Sequence, residues 1–402
     1  MTREEATERA LKEVLNVRTT ILNLGTGYGK TKICIDCINK IYQVNNNIKI
    51  SIIVPRSALI DNWFAELKKW NLQVNKDNIE ILCYNSLHKV NPIADVYVFD
   101  EAHHLSDNKK EILSNILASN TKCKLLFLSA TLNNETRDYI KSLGTYNVIK
   151  SSIADGIEDE VLPTPIIYKI PLRLNTMNNN CLIVYNKKKP NPIKCFYRDR
   201  FIFKKRYPNR RIDIECTEWQ YYSNISDLID YYKKKFIHTK SIVIKNKWLR
   251  EASNRLKFLS DCKISKCKEI ISYLSNERTL LFCNNIEQSL QFDTFVPINS
   301  KNNKALENID KFNNHEINHI SSVNMLTEGM NLVDCRIGLF CNINASNVLT
   351  QQKIGRLLRH KNPIIIIPYY MNTRDEELVN KMLKEYDKSM IHEITYLKDI
   401  KL

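Results

Sequence analysis

Long apolar runs are missing from this sequence. No stretch approaches the roughly 18 apolar residues that a membrane-spanning helix needs, and residues 1–5 lack the apolar core of a signal peptide. These absences argue against a membrane or secreted protein. We therefore expect a cytoplasmic location, or the host cytoplasm if a phage encodes the chain.

Clustered cysteines are also missing. The 12 cysteines are scattered along the chain, which is typical of a reducing compartment and not of a disulfide framework. Cys34 and Cys37 have C-x-x-C spacing, and Cys262 and Cys267 form a second loose pair. A zinc site would need both pairs to meet. Because Cys34 and Cys37 fall in an apolar helical stretch, we interpret them as small core residues.

Acidic residues are in deficit. The chain has 60 Lys and Arg against 44 Asp and Glu, which gives a net charge of +16. Lysine and arginine release condensed counterions from a polyphosphate, so this balance favours a nucleic-acid partner. The alternative is that an AT-rich genome makes all its products rich in lysine, and charge alone does not decide between the two.

The 402 residues suffice for two domains, with 43% hydrophobic residues to fill their cores. Short apolar strands alternate with amphipathic helices in both halves, which predicts parallel sheets covered by helices on both faces. We predict an α/β fold with domains 1–160 and 161–402. The predicted strands are residues 20–24, 50–54, 96–99 and 125–128 in the first half and 279–283, 317–323, 337–340 and 363–368 in the second.

The alternation breaks inside the second predicted domain, at an insertion of about residues 178–262. Residues 187–211 contain eleven basic residues and one acid, Asp199, interleaved with six aromatic residues if Tyr185 is included. Turn signals bound this segment, so we predict a β-rich insertion. The sequence then becomes helical, and four residues are spaced like a buried stripe: Trp219, Tyr222, Leu228 and Tyr232.

A glycine-rich segment, LGTGYGKT at residues 24–31, follows the first predicted strand and precedes a helix. Glycines let backbone N–H groups turn towards phosphates, and the helix N-terminus attracts negative charge. We predict that Lys30 reaches the β- and γ-phosphates and that the Thr31 hydroxyl binds Mg²⁺. Leu24 stands where the usual pattern has its first glycine. The predicted nucleotide-binding residues are Gly25, Thr26, Gly27, Tyr28, Gly29, Lys30 and Thr31.

Two adjacent acids, Asp100 and Glu101, follow the predicted strand at 96–99. Acids at the carboxyl end of a strand in a parallel sheet face the ligand crevice. Asp100 is therefore a candidate ligand of Mg²⁺, and Glu101 is a candidate base for the attacking water. The alternative is a solvated turn.

These segments resemble the motifs of superfamily 2 helicases, and the resemblance runs through most of the chain. The family's first motif is matched by residues 26–31, its DEAH box by residues 100–103, and the motif that links hydrolysis to movement by residues 129–131. The sixth motif, Q-x-x-G-R-x-x-R, is matched by residues 352–359. The resemblance implies two RecA-like domains, ATP with Mg²⁺ in the cleft between them, and a nucleic-acid strand across both.

The resemblance also implies roles for single residues. Arg359 would be the arginine finger, with Arg356 beside it at the phosphate and Gln352 opening the motif. Residues 280–283 resemble the fourth motif, and residues 327–331 resemble the fifth, which places Gly329 at the nucleotide. The implied nucleic-acid contacts are Arg56, Ser86 and Thr327.

The sequence departs from the family upstream of the phosphate loop, where many members carry a glutamine that reads adenine. The first glutamine here is Gln43, and Ala6 lies near the expected position. Base selectivity therefore stays open, with ATP as the default. The DEAH spelling, the basic insertion and the missing glutamine favour the DNA repair and restriction branch over RNA helicases.

Three functions fit these motifs. The first is a DNA helicase, in which Lys204, Lys205 and Arg206 of the insertion grip DNA near the point of strand separation. The second is a duplex translocase that does not separate strands. The third is a binding module whose ATPase has lapsed, which the intact Lys30 and Glu101 disfavour. For the insertion itself, the alternative is a solvated β-hairpin whose aromatic residues only pack it onto the second domain.

Overall fold

A computed structural model describes residues 1–274, 277–299, 304–323 and 332–402, and it leaves the side chains of residues 347 and 348 undescribed. Within these ranges no helix is both long and apolar enough to cross a membrane. The described chain forms two parallel sheets covered by helices, with a small third sheet in the insertion.

The first sheet has six parallel strands in the order β3-β2-β4-β5-β1-β6. The central strands read as continuous apolar runs because helices cover both faces. In β4, Val96 and Val98 pack on the side of α1, α2 and α3, whereas Tyr97 and Phe99 pack on the side of α4 and α5. The elements are α1 (Arg3–Glu13), β1 (Thr19–Leu24), α2 (Lys30–Val44), β2 (Ile50–Val54), α3 (Ala58–Lys69), β3 (Ile79–Cys83), β4 (Val96–Phe99), α4 (Asp107–Ser119), β5 (Lys124–Leu128), α5 (Asn134–Ser142) and β6 (Tyr146–Ser151).

A short helix, α6 (Ile153–Glu158), and the segment after it lead to the second sheet. Ile153, Ile157 and Leu162 belong to the same apolar cluster as Leu280 and Phe282 of the second sheet. The end of the first half is therefore packed into the core of the second. The boundary at residue 160 stays a prediction.

The insertion follows β7 (Ile166–Leu172) and contains β8 (Cys181–Tyr185), β9 (Ile193–Phe196), α7 (Arg200–Arg206), β10 (Ile212–Cys216), α8 (Glu218–Thr239) and α9 (Ile242–Cys262). Strand β10 pairs antiparallel with β8 and parallel with β9. The three strands agree with the predicted β-rich insertion. The alternative prediction of a simple β-hairpin was wrong, because Lys204, Lys205 and Arg206 lie on a helix, α7.

The predicted buried stripe of α8 was wrong in its register. The helix buries Tyr222, Ile225 and Ile229, whereas Trp219 and Leu228 are exposed. The reason is that only the first half of α8 packs against the second domain. This contact decides which side of the helix is buried, and the spacing of the aromatic residues along the whole helix does not.

The second sheet has seven parallel strands in the order β12-β13-β11-β14-β15-β7-β16. Together with the first sheet, it confirms the predicted α/β fold of two parallel-sheet domains. The elements after the insertion are α10 (Ile264–Tyr273), β11 (Thr279–Phe282), α11 (Ile286–Ser289), β12 (Val296–Ile298), α12 (Ala305–Asn313), β13 (His319–Ser322), β14 (Ile337–Phe340), α13 (Asn347–Leu357), β15 (Ile364–Tyr370), α14 (Arg374–Met382) and β16 (Ile391–Glu393).

Candidate nucleotide site between the two sheets

The glycine-rich loop joins β1 to α2. Gly27 and Gly29 have φ angles of +94° and +86°, a region that side chains rarely adopt, so the loop needs glycine there. The Lys30 ammonium donates hydrogen bonds to the carbonyls of Leu24 (3.0 Å) and Gly25 (3.4 Å). Leu24, which stands at the position of the usual first glycine, is the fully buried last residue of β1.

Asp100 follows β4 and is held by two aromatic residues. The Trp63 indole N–H on α3 donates to the Asp100 carboxylate at 2.9 Å, and the Tyr84 hydroxyl donates to the Asp100 carbonyl at 3.0 Å. Burial, and after it the charge of Glu101, raise the pKa of Asp100 to about 6. The Trp63 hydrogen bond and the nearby Lys30 lower it. The carboxylate is thus fixed in place and ready for a cation.

Glu101 has a left-handed backbone, with φ at +49°, which is strained for a residue with a side chain. Its carboxylate lies 3.4 Å from Nδ1 of His103. The same His103 nitrogen lies 3.2 Å from the Ser129 hydroxyl, which donates to the carbonyl of Thr131 at 2.9 Å. A chain of polar contacts therefore joins Glu101 to the loop at residues 129–131.

Helix α13 brings the second sheet's arginines to the loop. Gly355 lies so close to the first domain that a Cβ added to it would be 2.4 Å from the Cβ of Thr26. Arg356 is buried and Arg359 is exposed, just after the helix ends. Burial lowers the pKa of Lys30, the charges of Glu101 and Asp100 oppose this, and those of Arg356 and Arg359 add to it. Both arginines are thus electrostatically coupled to the loop.

The cleft also holds polar groups suited to a ligand. Within the described ranges, three buried side chains in this region have polar atoms without a hydrogen-bond partner: Thr26, Thr131 and Gln352. Such groups need a partner, and a bound anion with its water can supply one. Next to the loop lies a cavity of about 730 Å³, lined by Gly25 and Thr131 on one side and Gln351 on the other.

The other predicted site residues are placed as follows. Arg56 is exposed just before α3, and Ser86 lies in a 3₁₀ helix, Tyr84–Lys89, after β3. Both are at the sheet edge that carries the loop. Lys204, Lys205 and Arg206 lie on the insertion, outside the cleft, and the Lys204 ammonium sits 4.9 Å from the Tyr185 ring. Thr327 and Gly329 lie outside the described residues.

The hydrogen bonds of Trp63 and Tyr84 to Asp100 were not predicted from the sequence. No role was predicted for His103. A buried indole usually finds an acceptor for its N–H, so the tryptophan at position 63 was a usable signal. Its partner could not be predicted, because α3 and β4 are separate in the sequence.

Family models match each half of the chain. The model described as type III restriction enzyme, res subunit, matches residues 2–91, and the model of the helicase conserved C-terminal domain matches residues 262–361. No curated protein matches the sequence at a significant level.

Solved structures share the fold at low sequence identity. The Hef helicase domain of Pyrococcus furiosus is 13% identical with a TM-score of 0.53, over 94% of this chain and 97% of that one. A fragment assigned to the HsdR subunit of a type I restriction enzyme of Vibrio vulnificus is 14% identical with a TM-score of 0.59, over 98% of this chain and 68% of that one. Mss116p, bound to single-stranded RNA and AMP-PNP, is 13% identical with a TM-score of 0.60, over 97% and 74%.

The two halves of the chain thus carry the domains of one motor, arranged as two RecA-like sheets with a nucleotide loop between them. The two family models, one in each half of the chain, together with this fold support a superfamily 2 helicase.

Proposed function

We propose that the chain is a DEAH-type, DNA-dependent ATPase that moves along DNA and separates or remodels its strands. The observation that carries the proposal is the convergence of Lys30, Asp100 and Glu101 of one domain with Arg356 and Arg359 of the other. These residues come from segments far apart in the sequence, their charges act on one another at the loop, and groups of these kinds are the ones that phosphoryl transfer uses.

Residues of the first domain bind the nucleotide and activate the attacking water. Lys30, now bonded to two loop carbonyls, turns to the β- and γ-phosphates of ATP. Thr31 and Asp100 would hold Mg²⁺, because a hydroxyl and a carboxylate are ligands that this ion takes. When bound, the ion neutralises charge that develops on the phosphates. Glu101 takes the proton of the attacking water, and its contact with His103 fixes the carboxylate for that step.

The second domain completes the site. Arg356 and Arg359 donate charge-assisted hydrogen bonds to the γ-phosphate. The Gln352 amide is buried without a hydrogen-bond partner, which supports a role for it in orienting the water. Because these groups come from the other domain, full activity needs a closed cleft. Gly329 as a nucleotide contact and Thr327 as a strand contact stay predictions.

DNA is favoured as the strand by the family model on the first half, since a restriction enzyme acts on DNA. The Mss116p structure contains single-stranded RNA, so an RNA helicase is the second candidate. A duplex translocase is the third, because the HsdR and res-subunit likenesses are to restriction motors.

The deciding experiment compares ATPase rates with single-stranded DNA, duplex DNA, forked DNA and RNA. We expect stimulation by DNA above RNA, together with displacement of a labelled strand from the fork. Stimulation by duplex DNA without strand displacement would indicate a translocase. Preferential stimulation by RNA would contradict the DNA assignment, and no turnover with any of the four would contradict the motor function.

A further inference from the structure

Helices α8 and α9 form a hairpin whose outer half stands away from the domain. The inner half is docked: the Tyr222 hydroxyl accepts from the N–H of Arg374 at 2.9 Å, and the Ser260 hydroxyl donates to the carbonyl of Cys341 at 3.0 Å. From residue 230 to residue 258 no residue is buried. The turn at Lys240 lies eleven residues beyond Ile229, a distance of about 16 Å along the helix. We refer to residues 231–250 as the arm.

The arm carries positive charge only. It contains seven lysines and arginines and no aspartate or glutamate. Arg250 is bound to Glu251, just outside the arm. The other six are exposed: Lys233, Lys234, Lys235, Lys240, Lys245 and Lys247. Such a surface repels itself unless it meets a dense anion.

The tip of the arm is aliphatic. Ile237, Ile242 and Val243 are 53%, 73% and 61% exposed. The arm's rings are mostly turned inwards, since Phe236 packs against Trp248 across the hairpin at 6.1 Å, and only Tyr231 of its four aromatic residues is exposed. Single-strand binding relies on exposed rings for stacking. Aliphatic tips instead act as wedges between the base steps of a duplex.

We propose that the arm binds duplex nucleic acid, with its lysines along the phosphates and Ile237, Ile242 and Val243 as a wedge between base pairs. This rests on the proposed function in that the motor's substrate is a nucleic acid. A reach of about 16 Å meets roughly nine phosphate charges at ~1.7 Å each along a duplex axis, which is enough for each of the six exposed lysines to meet one. The arm is separate from the basic segment 187–211 and from the nucleotide cleft.

The charge is tested with K233Q/K234Q/K235Q in the full chain, against the control K381Q/K384Q/K388Q, which removes three exposed lysines at and after α14. Binding of a labelled 20-base-pair duplex is measured against salt concentration without ATP. We expect the arm variant to bind at least tenfold more weakly at 0.1 M salt. The slope of log affinity against log salt should flatten by about 2–3, at ~0.9 per lost phosphate contact. Equal slopes in arm variant and control would overturn the proposal.

The wedge is tested with I242S/V243S, against I93S at another exposed isoleucine. Duplexes with 2-aminopurine at terminal or central pairs report unstacking through increased fluorescence. We expect the increase with wild type and I93S and its loss with the tip variant. An unchanged increase would overturn the wedge. If the tip variant instead changes only the sedimentation of the protein, the tip is a contact between copies of this chain, and the proposal is wrong.

Failure of the proposed function is measured separately. Stimulation of the wild-type ATPase by single-stranded nucleic acid tests the motor and does not involve the arm, so both arm variants should keep it. If no nucleic acid stimulates wild type, the motor assignment fails, whereas duplex binding without ATP still tests the arm.

Discussion

The nucleotide cleft and the insertion both present positive charge, but they do so in opposite ways. In the cleft, a few charges are surrounded by partners, as Lys30 is by two carbonyls and two carboxylates. In the insertion, residues 187–211 contain eleven basic residues and one acid, Asp199, and Arg211 and Lys194 pair with Asp213 and Glu215 just beyond the segment. Under the proposed function, the first arrangement is suited to one phosphate group in a fixed position, and the second is suited to a long polyanion with no fixed register. Substitutions should therefore affect rate in the cleft and affinity in the insertion.

The largest effect is expected at Glu101. Glu101→Gln keeps the size of the side chain and removes the base, so ATP hydrolysis should fall by about 10²–10⁴-fold while ATP and DNA binding persist. Lys30→Ala is the matched comparison, because it should weaken nucleotide binding itself. Single-turnover hydrolysis and equilibrium binding of a fluorescent nucleotide distinguish the two variants. Wild-type turnover by Glu101→Gln would show that another group is the base.

Arg359 should come next. Arg359→Ala removes a charge that acts mainly in the transition state, so we expect kcat to fall at least ~10²-fold with ATP affinity changed only a few-fold. Arg374→Ala, on a half-buried arginine of α14 that pairs with Glu377, is a control that should leave the rate unchanged. If the variant loses ATP affinity while kcat is unchanged, Arg359 contacts ATP in the ground state and is not an arginine finger.

Trp63 tests whether the cleft depends on its supporting contacts. Trp63→Phe keeps the ring and removes the hydrogen bond to Asp100. A hydrogen bond to a charged group is worth about 1.5 kcal/mol at the low end, so the Mg²⁺ concentration for half-maximal nucleotide binding should rise about tenfold. Trp70→Phe removes an indole hydrogen bond to Glu66 instead and is the matched control. Identical Mg²⁺ dependence in both variants would show that Trp63 serves only packing.

The smallest effect is expected on α7. Replacing Lys204, Lys205 and Arg206 with glutamine should weaken DNA binding and leave the DNA-free ATPase rate unchanged. Because the Lys204 ammonium packs over Tyr185, we expect only two lost phosphate contacts, and so a salt slope flatter by about 1.4–1.8. Salt titrations of DNA affinity measure this. An unaltered slope with unwinding intact would make α7 a scaffold.

The parts of the fold that the sequence predicted are the buried ones. Strands with both faces covered, such as β1, β2 and β4, are continuous apolar runs, and their limits agree with prediction to within a residue. The strands left out lie at sheet edges, where one side is exposed, or are interrupted by polar residues. Strand β7 lies inside its sheet, but Lys169 and Pro171 break its apolar pattern.

The same distinction applies to the site. Loop residues such as Lys30 and Thr31 were predictable because their spacing alone positions them between a strand and a helix. The contact of Trp63 with Asp100 depends on how α3 is rotated against β4, which no local pattern encodes. The insertion resisted prediction because much of its surface is exposed, so burial left little periodicity in α7 or in the outer half of α8.

Gly355 has a mechanical consequence. Its helix contacts the glycine-rich loop with no room for even a methyl group. The absence of a side chain at this position therefore sets how closely the two domains can approach each other. Alanine is the better helix former by about 1 kcal/mol, so Gly355→Ala would stabilise α13. The added methyl group would at the same time overlap Thr26 and hold the two domains apart. Under the proposed function, glycine at position 355 weakens its own helix but lets the two domains close on the nucleotide.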